Sequence, residues 1–166
     1  MTVFAHFDRK EDLLLDRIPG ALDVVRDAVR ERPDDVGGAG EAIRRTVFAL
    51  VDERHPLSGL TEGTEPSLRT VTASPALLSR LRTFAYEVET ELSAALDADP
   101  RFPGDSALTA ALLVAAYRTV AVETARRRLV GDDPAEIEAA HRERLEAAFE
   151  VLTGGLPGRS RPPRDA

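Results

Sequence analysis

"SPALLSRLRTFAYEVETELSAAL", residues 74–96, decides the fold. A serine stands before a proline, a pairing that opens helices. The serine oxygen can accept from the exposed first-turn amides, and a proline at the first helical position has no amide to leave unpaired. From there Leu77, Leu81, Phe84, Val88, Leu92 and Leu96 recur every three or four residues. That is the period of one helix face, not the alternation of a strand. The stretch predicts a long amphipathic helix that needs partners for its apolar side.

The same grammar extends in both directions. Downstream, residues 99–104 form a turn with two prolines. Asp105 or Ser106 then caps a helix that runs to Leu129 or Val130 and stops at Gly131. Asp133 and Pro134, with Glu136 at the third helical position, start a last helix. Its stripe is Ile137, His141, Leu145, Ala148, Phe149 and Leu152, and Gly154 with Gly155 ends it. Upstream, a short helix is expected at about residues 66–73. Another is expected at about residues 41–54, with Ile43, Val47, Leu50 and Val51 on one face, ended by His55 and Pro56. Residues 34–40 read as a glycine-rich linker. Asp8 and Glu11 make a capping-box-like start, and Leu14, Ile18, Leu22, Val25 and Val29 follow in one helical phase. That phase survives Pro19 and Gly20, which predicts a kink there and a stop near Arg32 and Pro33. The tail is rich in proline and arginine and is expected to be disordered. The chain therefore reads as an all-α helical bundle.

Composition narrows the function. Hydrophobic residues make up 43%, enough for a proper core. There is no cysteine, so disulfides and thiolate metal sites are excluded. The net charge of −7 argues against a broadly basic nucleic-acid-coating surface, though not against a local DNA contact. The cations are nearly all arginine, with Lys10 the single lysine, a bias that GC-rich coding explains. The longest apolar stretch, residues 107–122, is broken by Thr109, Arg118 and Thr119 and is short for a membrane span. A cytoplasmic location without membrane contact is the expectation.

Motifs for chemistry are missing. His6, His55 and His141 are far apart and match no metal spacing. Gly37, Gly38 and Gly40 lack the lysine and hydroxyl of a phosphate loop. Glu87 and Glu91 share a helix face, a spacing that usually marks a solvated surface. No enzyme and no cofactor is expected.

One segment carries a resemblance. Thr2, Val3, Phe4, Ala5, His6 and Phe7, then Asp8 through Leu14, resemble the end of the DNA-reading signature of TetR-family transcriptional regulators. In that pattern a recognition helix ends in a threonine-apolar-aromatic run closed by phenylalanine, and a Lys-Glu-x-Leu start to a linking helix follows. Thr2, Phe4, His6, Phe7, Lys10, Glu11 and Leu13 fall at the expected spacing. The match covers about a tenth of the chain.

The resemblance implies the following. Thr2, Phe4, His6 and Lys10 would contact operator DNA, with Lys10 on a phosphate at a helix start, where amides also favour an anion. Phe4 lacks the hydroxyl that often occupies its position, and Phe7 would be core. Residues 1–17 would be the remnant of a helix-turn-helix domain and the start of the linking helix. Residues 18–155 would form a helical ligand-binding and dimerisation domain, and residues 156–166 the tail. A complete reading head needs two helices before the recognition helix, so roughly 30 to 40 residues are wanting. The expectation is an N-terminally truncated regulator, or a start at an internal methionine, deficient in specific DNA binding as written.

The expected effector is a small apolar or amphipathic molecule. Candidate pocket residues are Phe48, Val51, His55, Leu68, Phe84, Val88 and Tyr117, with His55 and Tyr117 as polar anchors. A homodimer is expected because residues 107–122 are apolar nearly all round. Leu108, Leu112, Ala115, Val122, Leu145, Phe149 and Leu152 are the expected interface residues. The functional expectation is a ligand-responsive repressor that binds operator DNA as a homodimer and is released by its effector. The alternative is a dimeric helical ligand-binding or interaction module that never meets DNA.

Overall fold

A computed structural model describes residues 18–33 and 38–154. Among the described residues there are six α-helices, one 3-10 turn and no strand. The order is α1 (Ile18–Arg30), α2 (Ala39–Asp52), the turn (Pro56–Ser58), α3 (Glu65–Ala73), α4 (Pro75–Asp97), α5 (Ser106–Val130) and α6 (Pro134–Gly154). The protein is an all-α helical bundle.

Local chemistry sets the boundaries. Ser74 Oγ accepts from the Leu77 amide at 3.3 Å and opens α4 with Pro75 behind it. Asp105, not Ser106, caps α5, accepting from the Leu108 amide at 2.9 Å. Asp133 accepts from the amides of Ala135 and Glu136 at the head of α6. Each cap satisfies amides that a helix start leaves open. Gly131 ends α5 with φ 85°, a left-handed conformation that glycine adopts without a Cβ clash.

The three long helices α4, α5 and α6 run as a meander, with α5 packed between the other two. α1 lies on α4, α2 lies on α1 and reaches α6, and the short α3 lies across α4 and α5. One core cluster joins Val29, Ile43, Leu92, Leu96, Ala110, Leu113 and Phe149. A second joins Val51, Leu60, Val120, Ile137 and Leu145. Phe48 bridges them, tilted against Phe149 at 6.2 Å between ring centres, with the Arg44 guanidinium 4.9 Å from its ring centre.

Two expectations change here. Leu145 and Phe149, expected on a dimer face, are 1% and 6% exposed within the single protomer. The α6 stripe of Ile137, His141, Leu145 and Phe149 turns inward against α2 and α5, so these residues are core. Leu152 is half-buried against the same core. On α4, Leu81 belongs to the expected inner stripe but is exposed, while Ala95 is buried beside Leu96.

A buried ion pair closes the bundle at one end. Arg32, just beyond α1, reaches Asp99 beyond α4 at 2.8 Å, with side chains 3% and 6% exposed. Asp99 also accepts from the Arg101 amide at 3.0 Å. Burial would raise the Asp99 carboxyl, but the Arg101 hydrogen bonds and the Arg32 charge outweigh it and hold the carboxyl below its ordinary value.

Candidate functional site

Thr2, Phe4, His6 and Lys10, the residues expected at DNA, lie outside the described residues. The expected pocket residues do not gather around one cavity. Val51 is fully buried in the second core cluster, and Phe48 packs between the two clusters. Leu68, Phe84 and Val88 are half-buried along α3 and α4. Tyr117 on α5 donates its hydroxyl to the Leu57 carbonyl, and burial pushes its phenol up to about 12. His55 alone of the seven lines either of the two clefts described next.

The first cleft, of about 460 Å³, lies between the end of α2 and the head of α6. Arg54 and Arg142 stand in it with Glu62 and Glu138. Arg54 donates to Glu62 at 3.0 Å and to Glu138 at 2.8 Å, and Arg142 pairs with Asp52. The charges thus neutralise one another at the surface, where such pairs contribute little. Arg54 is left-handed, with φ 48°, because the chain reverses there out of α2. Nothing in residues 50–60 announced that reversal at an arginine, where glycine or asparagine is the usual choice.

The second cleft, of about 270 Å³, lies between α1 and the 3-10 turn. Its lining is Gly20 and Val24 from α1 with His55, Pro56 and Leu57 from the turn. The turn is held firmly. His55 Nδ1 accepts from the Leu57 amide at 3.2 Å, and Ser58 Oγ donates to the His55 carbonyl at 2.7 Å. Gly59, at φ 75°, closes it. Tyr117 fixes it from the bundle side through Leu57.

A buried polar cluster lies on the other side of that loop. Arg128 of α5 donates to the Leu60 carbonyl at 2.6 Å and to Glu65 at 3.0 Å, tying the segment after the turn to the bundle. One turn earlier, Thr124 Oγ1 meets His141 Nδ1 at 2.7 Å. His141 is 1% exposed, and its Nε2 has no partner. Burial, then the charges of Arg142 and Arg128, outweigh Glu138 and lower its pKa to about 4. The sequence placed His141 on the inner stripe but gave no sign of its threonine partner, which lies on another helix.

This histidine has a pH consequence. It is neutral in the fold near pH 5 but protonated in the unfolded chain, whose ordinary value is 6.5. The unfolded state then binds more protons, so its contribution to stability is complete above pH 6.5 and is lost as pH falls toward 4. The full loss is about 3 kcal/mol. Urea midpoints across that range should fall in the parent chain and fall less in His141→Gln; parallel curves would exclude His141 as the cause.

One helix face has no cover among the described residues. Along α5, Leu108, Leu112, Ala115, Thr119, Val122 and Arg126 alternate at spacings of four and three, and all are exposed. Leu108 and Val122 are 57% and 63% exposed. The opposite side of the helix, with Ala110, Leu113, Val120 and Thr124, is core. By length and hydropathy α5 also meets the measure of a membrane span, but its apolarity is divided between that core and the open stripe. Glu87 and Glu91, the carboxylates sharing a face of α4, are paired separately with Arg80 and Arg26. Among the described residues no three histidine or acidic side chains converge as a metal site would require.

No family model, curated protein or solved structure is detectably similar to this chain.

Proposed function

We propose that the chain is a ligand-responsive transcriptional regulator of the TetR type, a repressor that binds operator DNA as a homodimer and is released by a small apolar or amphipathic effector. The open α5 stripe of Leu108, Leu112, Ala115 and Val122 carries the reading. A stripe with a period near three and a half, running the length of a helix, suits pairing with a second helix of the same kind. Two copies of α5 crossing about a two-fold axis would cover both stripes at once. The run from Thr2 to Leu14, with its likeness to a recognition helix and linking start, supplies the DNA half of the reading.

A two-fold dimer would set two reading heads against half-sites one helical turn apart. An effector that favours a dimer with another spacing would release the operator. Sedimentation equilibrium of the chain should give a dimer at micromolar concentration. Leu112→Arg, which adds a charge at an exposed position of the stripe, should shift it to monomer. A parent chain that stays monomeric would overturn the dimer. Selection from random duplexes, with the chain and with any in-frame extension upstream of Met1, tests the other half. Enrichment of a palindrome supports the regulator. A dimer that enriches none would instead be a helical ligand-binding or interaction module.

A further inference from the structure

The cleft between α1 and the 3-10 turn has apolar walls and one polar group. Gly20, Val24, Pro56 and Leu57 offer carbon surface, and His55 is the polar side chain among them. The role of each His55 nitrogen follows from the turn. Nδ1 accepts from the Leu57 amide, which leaves Nε2 as the ring nitrogen that donates. That N–H has no protein partner among the described residues. The ring cannot easily turn to find one. Turning it would break the Nδ1 bond to the Leu57 amide, and the backbone on both sides is pinned, by Ser58 at the His55 carbonyl and by Tyr117 at the Leu57 carbonyl. The cleft is therefore lined by carbon surface and one histidine whose Nε2 is left to donate, with no arginine, lysine or acidic residue among its lining residues. Such a site selects an uncharged molecule with a single acceptor.

We propose that this cleft binds a small, uncharged, mostly apolar molecule through a hydrogen bond from His55 Nε2–H to a carbonyl-type acceptor. The ligand would touch α1 at Gly20 and Val24 and the turn at His55 through Leu57, and so bridge two elements that meet only at the bundle edge. This deepens the effector part of the proposed function, but its test uses no DNA, so the two can fail separately.

Acetophenone is the probe, and ethylbenzene is its counterpart of similar shape without an acceptor. Both are titrated into the chain and followed by amide chemical shifts. Acetophenone should shift the amides of Gly20, Val24, His55 and Leu57 with a Kd of about 1 mM or tighter. Ethylbenzene should bind about tenfold more weakly. Two variants locate the site. His55→Asp keeps an oxygen to accept from the Leu57 amide and removes the ring donor, so the preference for acetophenone should disappear. Gly20→Leu adds a bulky side chain at a lining position, where a Cβ meets nothing within 4 Å, and strengthens the helix. It should bind neither compound. The proposal is overturned if acetophenone leaves those amides unmoved, if ethylbenzene binds the parent chain equally well, or if both variants bind acetophenone as the parent does.

Discussion

Arg32→Ala is expected to lower the stability of the fold by about 3–5 kcal/mol, enough to unfold much of a marginal domain. The substitution leaves the Asp99 carboxylate buried without its counter-charge, which costs more than the pair contributes. The pair itself is imperfect. Arg32 Nη1 has no acceptor, and Asp99 Oδ2 meets the guanidinium off the hydrogen-bond direction. Desolvation of two charges is therefore only partly repaid. Replacing both ends with apolar residues, as Arg32→Met with Asp99→Leu, should recover most of the loss. Denaturant unfolding of the single and double variants checks this. A double variant no more stable than Arg32→Ala would mean that the charges are needed as a pair.

Leu145→Ala and Phe149→Ala should each cost about 3–5 kcal/mol. Leu145 lies among Val51, Val120 and Ile137, and Phe149 against Phe48 and the α1–α4 seam. Their removal opens cavities that helices pinned at several points cannot collapse to fill. The same substitutions should leave the association constant unchanged once the variant is folded, because neither side chain reaches the surface. Leu112→Ala should do the reverse, with a protomer cost under about 0.5 kcal/mol and weaker association. If Leu145→Ala weakened association while stability held, the inward turn of α6 would be wrong.

The helices were readable because their ends carry side-chain chemistry. Ser74, Asp105, Asp133 and Gly131 each announce a boundary, and each boundary falls where that residue puts it. Which face of a helix meets what was only half readable. On α6 a single apolar stripe has to serve either the protomer or a partner, and periodicity alone cannot say which. The protomer takes it, since α2 and α5 both lie against it. On α5, apolar residues on nearly every side imply burial on two sides, and within the protomer one side is core while the other is exposed.

The cleft was legible only through His55. Beyond its neighbours Pro56 and Leu57, the opposite wall comes from Gly20 and Val24, about thirty residues earlier, and no local pattern links a helix glycine to a distant turn. Buried polar pairs escaped for the same reason. Arg32 with Asp99, Thr124 with His141 and Arg128 with the Leu60 carbonyl are all contacts between elements, and each residue alone reads as ordinary surface or core.

The meander of α4, α5 and α6 also says something about how the chain assembles. Its neighbours in space are neighbours in sequence, joined through residues 98–105 and 131–133, so bringing them together closes short loops at small entropic cost. The costlier closures join elements distant in sequence, as Tyr117 and Arg128 join α5 to the turn and to the segment before α3. Arg26 with Glu91 and Arg32 with Asp99 hold α1 to α4, and Arg142 with Asp52 holds α6 to α2. A bundle so dominated by local contacts belongs with rapidly folding topologies. Docking α1 and α2 onto α4 and α6 is then the step that must close the longer stretches of chain.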